Sequence, residues 1–347
     1  MSELNLALLR ALCETPGVPG HEDRVRDLVR AEIDGLFDAV EVDPMGSLLC
    51  RRDARAGAVA QKIMLLCHMD EIGFLVSHVN EQGFLYLQPV GGFDPRNLFS
   101  RRVLVCTDHG DLKGVMNPGG RPIHIAGADE KKKIPEPTEF FVDTGLGAAA
   151  KERVKVGDMV VMDEPFVEMG DKLVSKALDN RIACWLGIEA MRGVVDADHG
   201  AEIHVAFTAQ EEVGLRGART AAYAVRPDIG IGIDTTLACD TPGVPEQDRT
   251  TVQGEGFGLH IRDGSFIADK ALVADLEALA HARDIPFQRT MLRAGGQDGA
   301  AAQQAAAGAR AVGIVVGTRY IHTVTEMVDK RDLEAARDIL VAYLRRS

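Results

Sequence analysis

The sequence predicts an α/β chain: an α/β/α host with a central mixed, mostly parallel sheet, interrupted by a β-rich, barrel-like insert. Three observations carry this. Residues 63–67, Ile-Met-Leu-Leu-Cys, form an unbroken apolar run, the mark of a strand buried on both faces as in a parallel sheet. Between residues 73 and 163 the texture changes to short strand-like pieces punctuated by Gly, Pro, Asn or Asp, with no helical period between them. From Leu173 onward, strands and helices alternate again.

The elements follow in order. Glu3 to Cys13 is apolar at helical spacing and stops before Pro16-Gly17; a second helix spans Glu22 to Phe37, with Val25, Leu28, Val29, Ile33 and Leu36 on one face. Strands 39–42 and 47–51 flank the turn Pro44-Met45-Gly46. Insert strands are expected at 73–79, 83–90, 102–107, 112–117, 139–142 and 158–163. Lys131-Lys132-Lys133, followed by Pro135 and Pro137, reads as an exposed loop. In the second half, strands are expected at 203–209, 229–234, 257–261, 286–292 and 311–316. Helices are expected after Asp179 and at 214–223, 269–283, 298–307 and 332–344. A discontinuous host, 1–69 with 166–347, around an insert at 70–165 explains this order more simply than three domains.

The 347 residues suit two domains. A formal charge of −13 argues against a nucleic-acid or anionic-membrane partner. Cys13, Cys50, Cys67, Cys106, Cys184 and Cys239 form no C-x-x-C pair, which fits a reducing cytoplasm. The N-terminus shows no basic region followed by an apolar signal core, and no apolar stretch approaches the roughly 20 residues that span a bilayer.

Metal-type side chains stand at the ends of the apolar runs. His68 closes the first, with Asp70 two residues on, close enough to accept the second ring N–H. Glu211-Glu212 follow strand 203–209; adjacent residues leaving a strand point in different directions, so one can bind metal while the other acts as a base. Asp234 ends the run from Ile229, and His322 follows the run from Ala311. Asp179 opens a helix, where Asp is also an ordinary cap; as a ligand its two oxygens can bridge a pair of ions. Strand ends are where open α/β sheets hold ligands, and two His with several carboxylates suit two zinc-like ions. Gly295-Gly296-Gln297-Asp298 precedes a helix and permits close approach of a ligand to the backbone, so Gly295, Gly296 and Asp298 are candidate substrate contacts.

The segments His68-Met-Asp-Glu-Ile-Gly-Phe74, Ala177-Leu-Asp-Asn-Arg181, Gln210-Glu-Glu-Val-Gly-Leu-Arg-Gly-Ala218, Gly295-Gly-Gln-Asp298 and Arg319-Tyr-Ile-His322, with Asp234, resemble the M42 metallo-aminopeptidases in order and across nearly the whole chain. Pro122-Ile-His124 and Phe140-Phe-Val-Asp-Thr-Gly145 resemble that family's dimerisation domain. The resemblance implies two divalent ions per subunit, zinc or cobalt: one held by His68 and Asp234, one by Glu212 and His322, with Asp179 bridging. It implies Glu211 as general base and Asp70 as the residue orienting His68. The implied substrates are short peptides with a free N-terminus, and the implied assembly is a dodecamer built from dimers, in the cytoplasm. Cys67, Ala183 and Gln297 stand where Ala, Gly and Thr are frequent; Cys67 is expected to be oxidation-sensitive and Gln297 to alter substrate contacts. An aliphatic, leucine-like N-terminal residue is the default expectation. The alternatives are a metal-dependent carboxypeptidase or N-acyl deacylase on a related fold, then a glycosidase using Glu211 and Glu212, then a non-catalytic assembly protein.

Overall fold

The computed structural model describes residues 4–57 and 61–347, so the Glu3 start of the first expected helix lies outside the described residues. Helices α1 (Leu6–Glu14) and α2 (Asp23–Glu32) precede the antiparallel pair β1 (Ala39–Val42) and β2 (Leu48–Arg52) and the central strand β3 (Lys62–His68). The insert holds β4 (Gly73–Val79), β5 (Leu85–Val90), β6 (Arg101–Cys106), β7 (Leu112–Pro118), β8 (Phe140–Asp143) and β9 (Met159–Met162). Then come β10 (Val167–Met169), β11 (Lys172–Ser175), α3 (Leu178–Arg192), β12 (Glu202–Thr208), α4 (Arg216–Val225) and β13 (Ile229–Leu237). The chain closes with β14 (Phe257–Arg262), α5 (Lys270–Ala282), β15 (Phe287–Met291), α6 (Asp298–Gln304), β16 (Arg310–Thr318), β17 (Glu326–Asp329) and α7 (Lys330–Arg346).

Eight strands form the main sheet in the order β1-β2-β12-β3-β13-β16-β14-β15. The four central strands run parallel, and β2 and β14 lie antiparallel to their inner neighbours. The apolar run of β3 is buried because helices cover both faces. Side chains of α1, α2, α3, α5 and α7 pack one face around Trp185, Leu65 and Ile314. Alanines of α4 and α6 pack the other against Met64 and Leu66. At roughly 25 cal/mol per Å² of apolar surface, this double burial is the main stabilising term of the host.

The insert closes into a six-stranded barrel, β4-β5-β8-β7-β6-β9, with a core of its own that includes Phe74, Leu85, Val103, Met116 and Phe140. It leans on the host through Val18, Cys106, Met159 and Val161 and through the Arg24–Asp111 pair, two bonds of 2.7 Å. The lysine run 131–133 is exposed, as its prolines suggest.

Two elements escape the hydrophobic pattern, β10 and β17. With β11 they form a separate three-stranded antiparallel sheet that places Ser175 opposite Glu326. The buried Arg181, just inside α3, fastens the N-terminal turn to the site. It donates to the carbonyls of Met69 (2.7 Å), Thr15 (2.7 Å), Gly17 (3.3 Å) and Leu12, and meets Glu71 at 3.3 Å.

Candidate metal centre

Register brings the candidate ligands to one level. Thr208 of β12 pairs with His68 of β3, and Gly232 of β13 pairs with Leu66, so Asp234, two residues further on, stands beside His68. Strand β13 runs on to Leu237, which puts Asp234 inside the strand rather than at the end expected from its apolar run. Glu211 and Glu212 follow β12, His322 follows β16, and Asp179 lies at the start of α3. All six gather at the carboxyl edge of the parallel strands, where open α/β sheets bind ligands.

Asp179 is the centre of the group. Its Oδ1 lies 3.5 Å from Nε2 of His68 and its Oδ2 lies 3.5 Å from Nε2 of His322. Nε2 of His68 is also 3.9 Å from Asp234 and 3.8 Å from Glu211, and Nε2 of His322 is 3.3 Å from Glu212. Three sets of donor atoms each fit within 4.8 Å: His68/Asp179/Asp234, Asp179/Glu212/His322 and His68/Glu211/Glu212. The first two share only Asp179 and divide its oxygens; the third competes for His68 and Glu212. The first two together use every ligand once apart from the bridge, and leave Glu211 free.

The electrostatics ask for cations. Burial pushes the carboxyls of Glu211 and Asp234 well up and that of Glu212 up. Burial works against charge on His68 and His322 too, but the surrounding carboxylates prevail; His68 is driven well above its usual value and His322 to about 12. Asp179, although buried, is held below the carboxylate range by its bonds to both imidazoles. The buried Lys176 and Arg181 pair with Glu71, at 2.7 and 3.3 Å. This dense cluster of carboxylates and imidazoles fits the binding of divalent cations.

Asp70 does more than the spacing suggests. Nδ1 of His68 is nearest the Asp70 carbonyl oxygen, at 3.1 Å, and 3.6 Å from its carboxylate. Donation from Nδ1–H to that carbonyl leaves the Nε2 lone pair facing the cluster. The carboxylate of Asp70 instead accepts the backbone N–H of Glu211 on Oδ1 and of Glu212 on Oδ2, both at 3.0 Å. Glu22 accepts the N–H of Gln210 (3.0 Å) and Ser47 Oγ that of Ala209 (3.2 Å). Four successive amides are thus tied down before the chain turns into α4.

A cavity of about 950 Å³ opens beside the cluster, a size suited to a small ligand. Gly295 and Gly296 line it together with Leu237, Met291 and Ile321. Asp298 lies behind that wall: it is 2% exposed and its Oδ2 takes the Thr208 hydroxyl. Gln297 is also buried, its Oε1 accepting the Gly299 N–H at 2.7 Å in a slot left open by Gly232; this side chain fills the sheet face and does not reach the cavity, contrary to the expected substrate contact. Cys67 is fully buried, and burial pushes its thiol well up, which suppresses the thiolate that oxidation requires.

Sequence reasoning missed Glu22 and Glu326. Glu326 is 2% exposed and accepts the backbone N–H of Asp179 at 2.9 Å and of His322 at 2.8 Å. Its only signal in the sequence is an acidic residue opening an apolar pair, Met327-Val328.

Comparison with known proteins places the chain in a family. The family model described as M42 glutamyl aminopeptidase matches residues 46–339. The chain belongs to the M42 aminopeptidase family. It is 30% identical over 351 residues to a lysyl aminopeptidase of Pyrococcus furiosus, covering 97% of this chain and 96% of that protein. Its fold matches a TET aminopeptidase from a marine-sediment Thaumarchaeota archaeon with a TM-score of 0.94 at 32% identity, covering 98% and 96% of the two chains. A Pyrococcus horikoshii TET1 peptidase, described as assembling into a tetrahedron or a large octahedral shell, matches with a TM-score of 0.87 at 29% identity, covering 98% of each chain. Membership of M42 makes the chain a hydrolase that acts as an exopeptidase.

Proposed function

We propose that this M42 member removes N-terminal residues from short peptides with a pair of divalent ions, zinc or cobalt, and with Glu211 as proton carrier. The observation that carries the reading is Asp179, whose two oxygens face two imidazoles at equal 3.5 Å distances. His68, Asp179 and Asp234 would hold one ion, and Asp179, Glu212 and His322 the other. Such ions supply Lewis-acid polarisation of the scissile carbonyl and lower the pKa of water. Glu211, its backbone fixed by Asp70, takes the proton of the attacking water and returns it to the leaving amine. The remaining carboxylate charge attracts the free amino terminus, which favours an aminopeptidase over the carboxypeptidase and deacylase alternatives. Leu237, Met291 and Ile321 on the cavity wall support an aliphatic N-terminal residue.

Assembly and location belong to the same reading. Ile123 (59% exposed), Ile125 (68%) and Ile134 (54%) lie on the arm between β7 and β8, and their exposure supports a barrel-mediated dimer, with a dodecamer built from it. Among the described residues no helix is long and apolar enough to cross a membrane, which is consistent with a cytoplasmic enzyme. Light scattering of the purified protein gives the oligomer. The deciding test is metal analysis beside turnover of Leu-p-nitroanilide and its N-acetylated form. Glu211→Gln keeps metal and fold and loses about 10²–10⁴-fold in kcat. Hydrolysis of the blocked substrate alone, or undiminished turnover in Glu211→Gln, overturns the assignment.

A further inference from the structure

Two stretches of chain leave one point of the three-stranded sheet and meet again at the metal centre. Ser175 of β11 faces Glu326 of β17. Asp179 lies just beyond Ser175 and His322 just before Glu326, and Oδ2 of Asp179 is 3.5 Å from Nε2 of His322. The side chain of Glu326 closes this ring from behind: Oε2 accepts the N–H of Asp179 at 2.9 Å and Oε1 that of His322 at 2.8 Å. A single buried carboxylate therefore fixes the backbones of two residues 143 positions apart.

The segment it fixes, although closed by the Arg319–Met327 bridge and by Thr323, includes strained backbone. His322 has φ +63° and Tyr320 φ +60°, in the left-handed region that side chains other than glycine's resist. Ion sites tolerate only about 0.2 Å of error in ligand distance, so a shift of either backbone matters. His68 and Asp234, by contrast, sit on paired strands of the main sheet that Glu326 does not touch.

We propose that Glu326 is a positioning residue that governs loading of one ion site, the one formed by Asp179, Glu212 and His322, by holding the bridging aspartate and the last histidine in a common frame. This rests on the two-ion reading above and adds an asymmetry to it. Loss of Glu326 weakens the second site, where it holds two of the three ligands, more than the first, where it holds only Asp179 and leaves His68 and Asp234 in place. Hydrogen-bond partners of metal ligands typically contribute about 10–100-fold in metal affinity.

The test uses the full chain, stripped of metal by a chelator, as wild type, Glu326→Gln and Glu326→Ala. Zinc is titrated in against a chromophoric competitor, and cobalt(II) absorption reports the geometry of each site. In wild type two ions bind. In the variants the ion held by Asp179, Glu212 and His322 weakens by about 10–100-fold and its cobalt band set is lost, while the ion held by His68 and Asp234 weakens by less. Turnover of Leu-p-nitroanilide falls at limiting zinc and recovers with excess zinc, with KM little changed; a merely structural role gives no rescue by metal. Thermal unfolding of the metal-free proteins checks the fold, and the isosteric Glu326→Gln carries the test if Glu326→Ala does not fold. Wild-type affinity at both sites in Glu326→Gln, or equal weakening of both, overturns the proposal. A wild-type protein that takes up fewer than two ions breaks the two-ion reading itself, and this inference with it.

Discussion

Replacing Asp70 by Asn removes one oxygen from a fully buried carboxylate and changes almost nothing in shape. In the native protein Oδ1 and Oδ2 each accept a backbone N–H, from Glu211 and Glu212, at 3.0 Å. An asparagine presents its amide N–H₂ to one of those donors, so one bond is lost and two donors face each other. A hydrogen bond to a charged group contributes about 1.5–3 kcal/mol. The glutamates it holds are the proton carrier and a metal ligand of the proposed reaction, so the loss falls on the transition state. At about 1.4 kcal/mol per tenfold in rate, kcat drops by roughly 10- to 150-fold. The cavity wall around Leu237 and Met291 is untouched, and KM stays within about threefold. The assay is initial rates on Leu-p-nitroanilide at saturating zinc, beside circular dichroism and metal content of the same samples. A folded, fully loaded Asp70→Asn enzyme with a kcat within about twofold of wild type refutes the claim that these two bonds set the position of Glu211.

Glu22 gives a prediction in pH. Burial, then the charge of Asp70, raises its carboxyl from 4.5 to about 7. A folded-state value above the unfolded one means that the folded protein binds the proton more tightly. The resulting stability is fully present below pH 4.5 and is lost as pH rises to about 7, an effect on the order of 3 kcal/mol. Urea unfolding of metal-free protein from pH 4.5 to 7.5 shows the slope; Glu22→Gln, which keeps an acceptor oxygen for Gly20 and Gln210, flattens it, and an unchanged slope assigns it to another group. Gly217→Ala places a Cβ against the Ala209 carbonyl and 2.5 Å from Ser47 Oγ. It costs about 1–3 kcal/mol and lowers turnover because Ala209 leads into Glu211; a wild-type melting temperature with full activity contradicts this. Arg181→Met breaks the buried contact with Glu71 and costs about 3–5 kcal/mol in urea unfolding. A smaller loss shows that Lys176 alone satisfies Glu71.

The strands of the insert were readable because each combines β-branched and apolar residues between turn residues; β4 spans Gly73–Val79, as its pattern indicates. Closure of the barrel was not readable in detail, because the β4–β9 pairing joins residues more than eighty positions apart and leaves no local mark. Strand β10 was invisible for a different reason: all three of its residues are exposed, so no alternation exists to detect. The candidate cluster was legible because ion-binding residue types stand beside apolar runs, and the fold brings those run ends to one sheet edge. What supports the ligands was not. Glu22 and Glu326 act through backbone N–H groups, and a carboxylate that accepts from a distant amide leaves no spacing rule in its own neighbourhood.

The candidate ligands come from two strands, one helix start and two loops, spread from residue 68 to residue 322. No short fragment of the chain holds a complete set of donors. Contacts this remote in sequence form late, when the sheet is already assembled. An unfinished molecule therefore has nothing with which to cut, and its own free N-terminus and those of its neighbours are safe from it. Proteolytic competence arrives together with the finished architecture, so the span between the first and last ligand acts as a safety catch during synthesis.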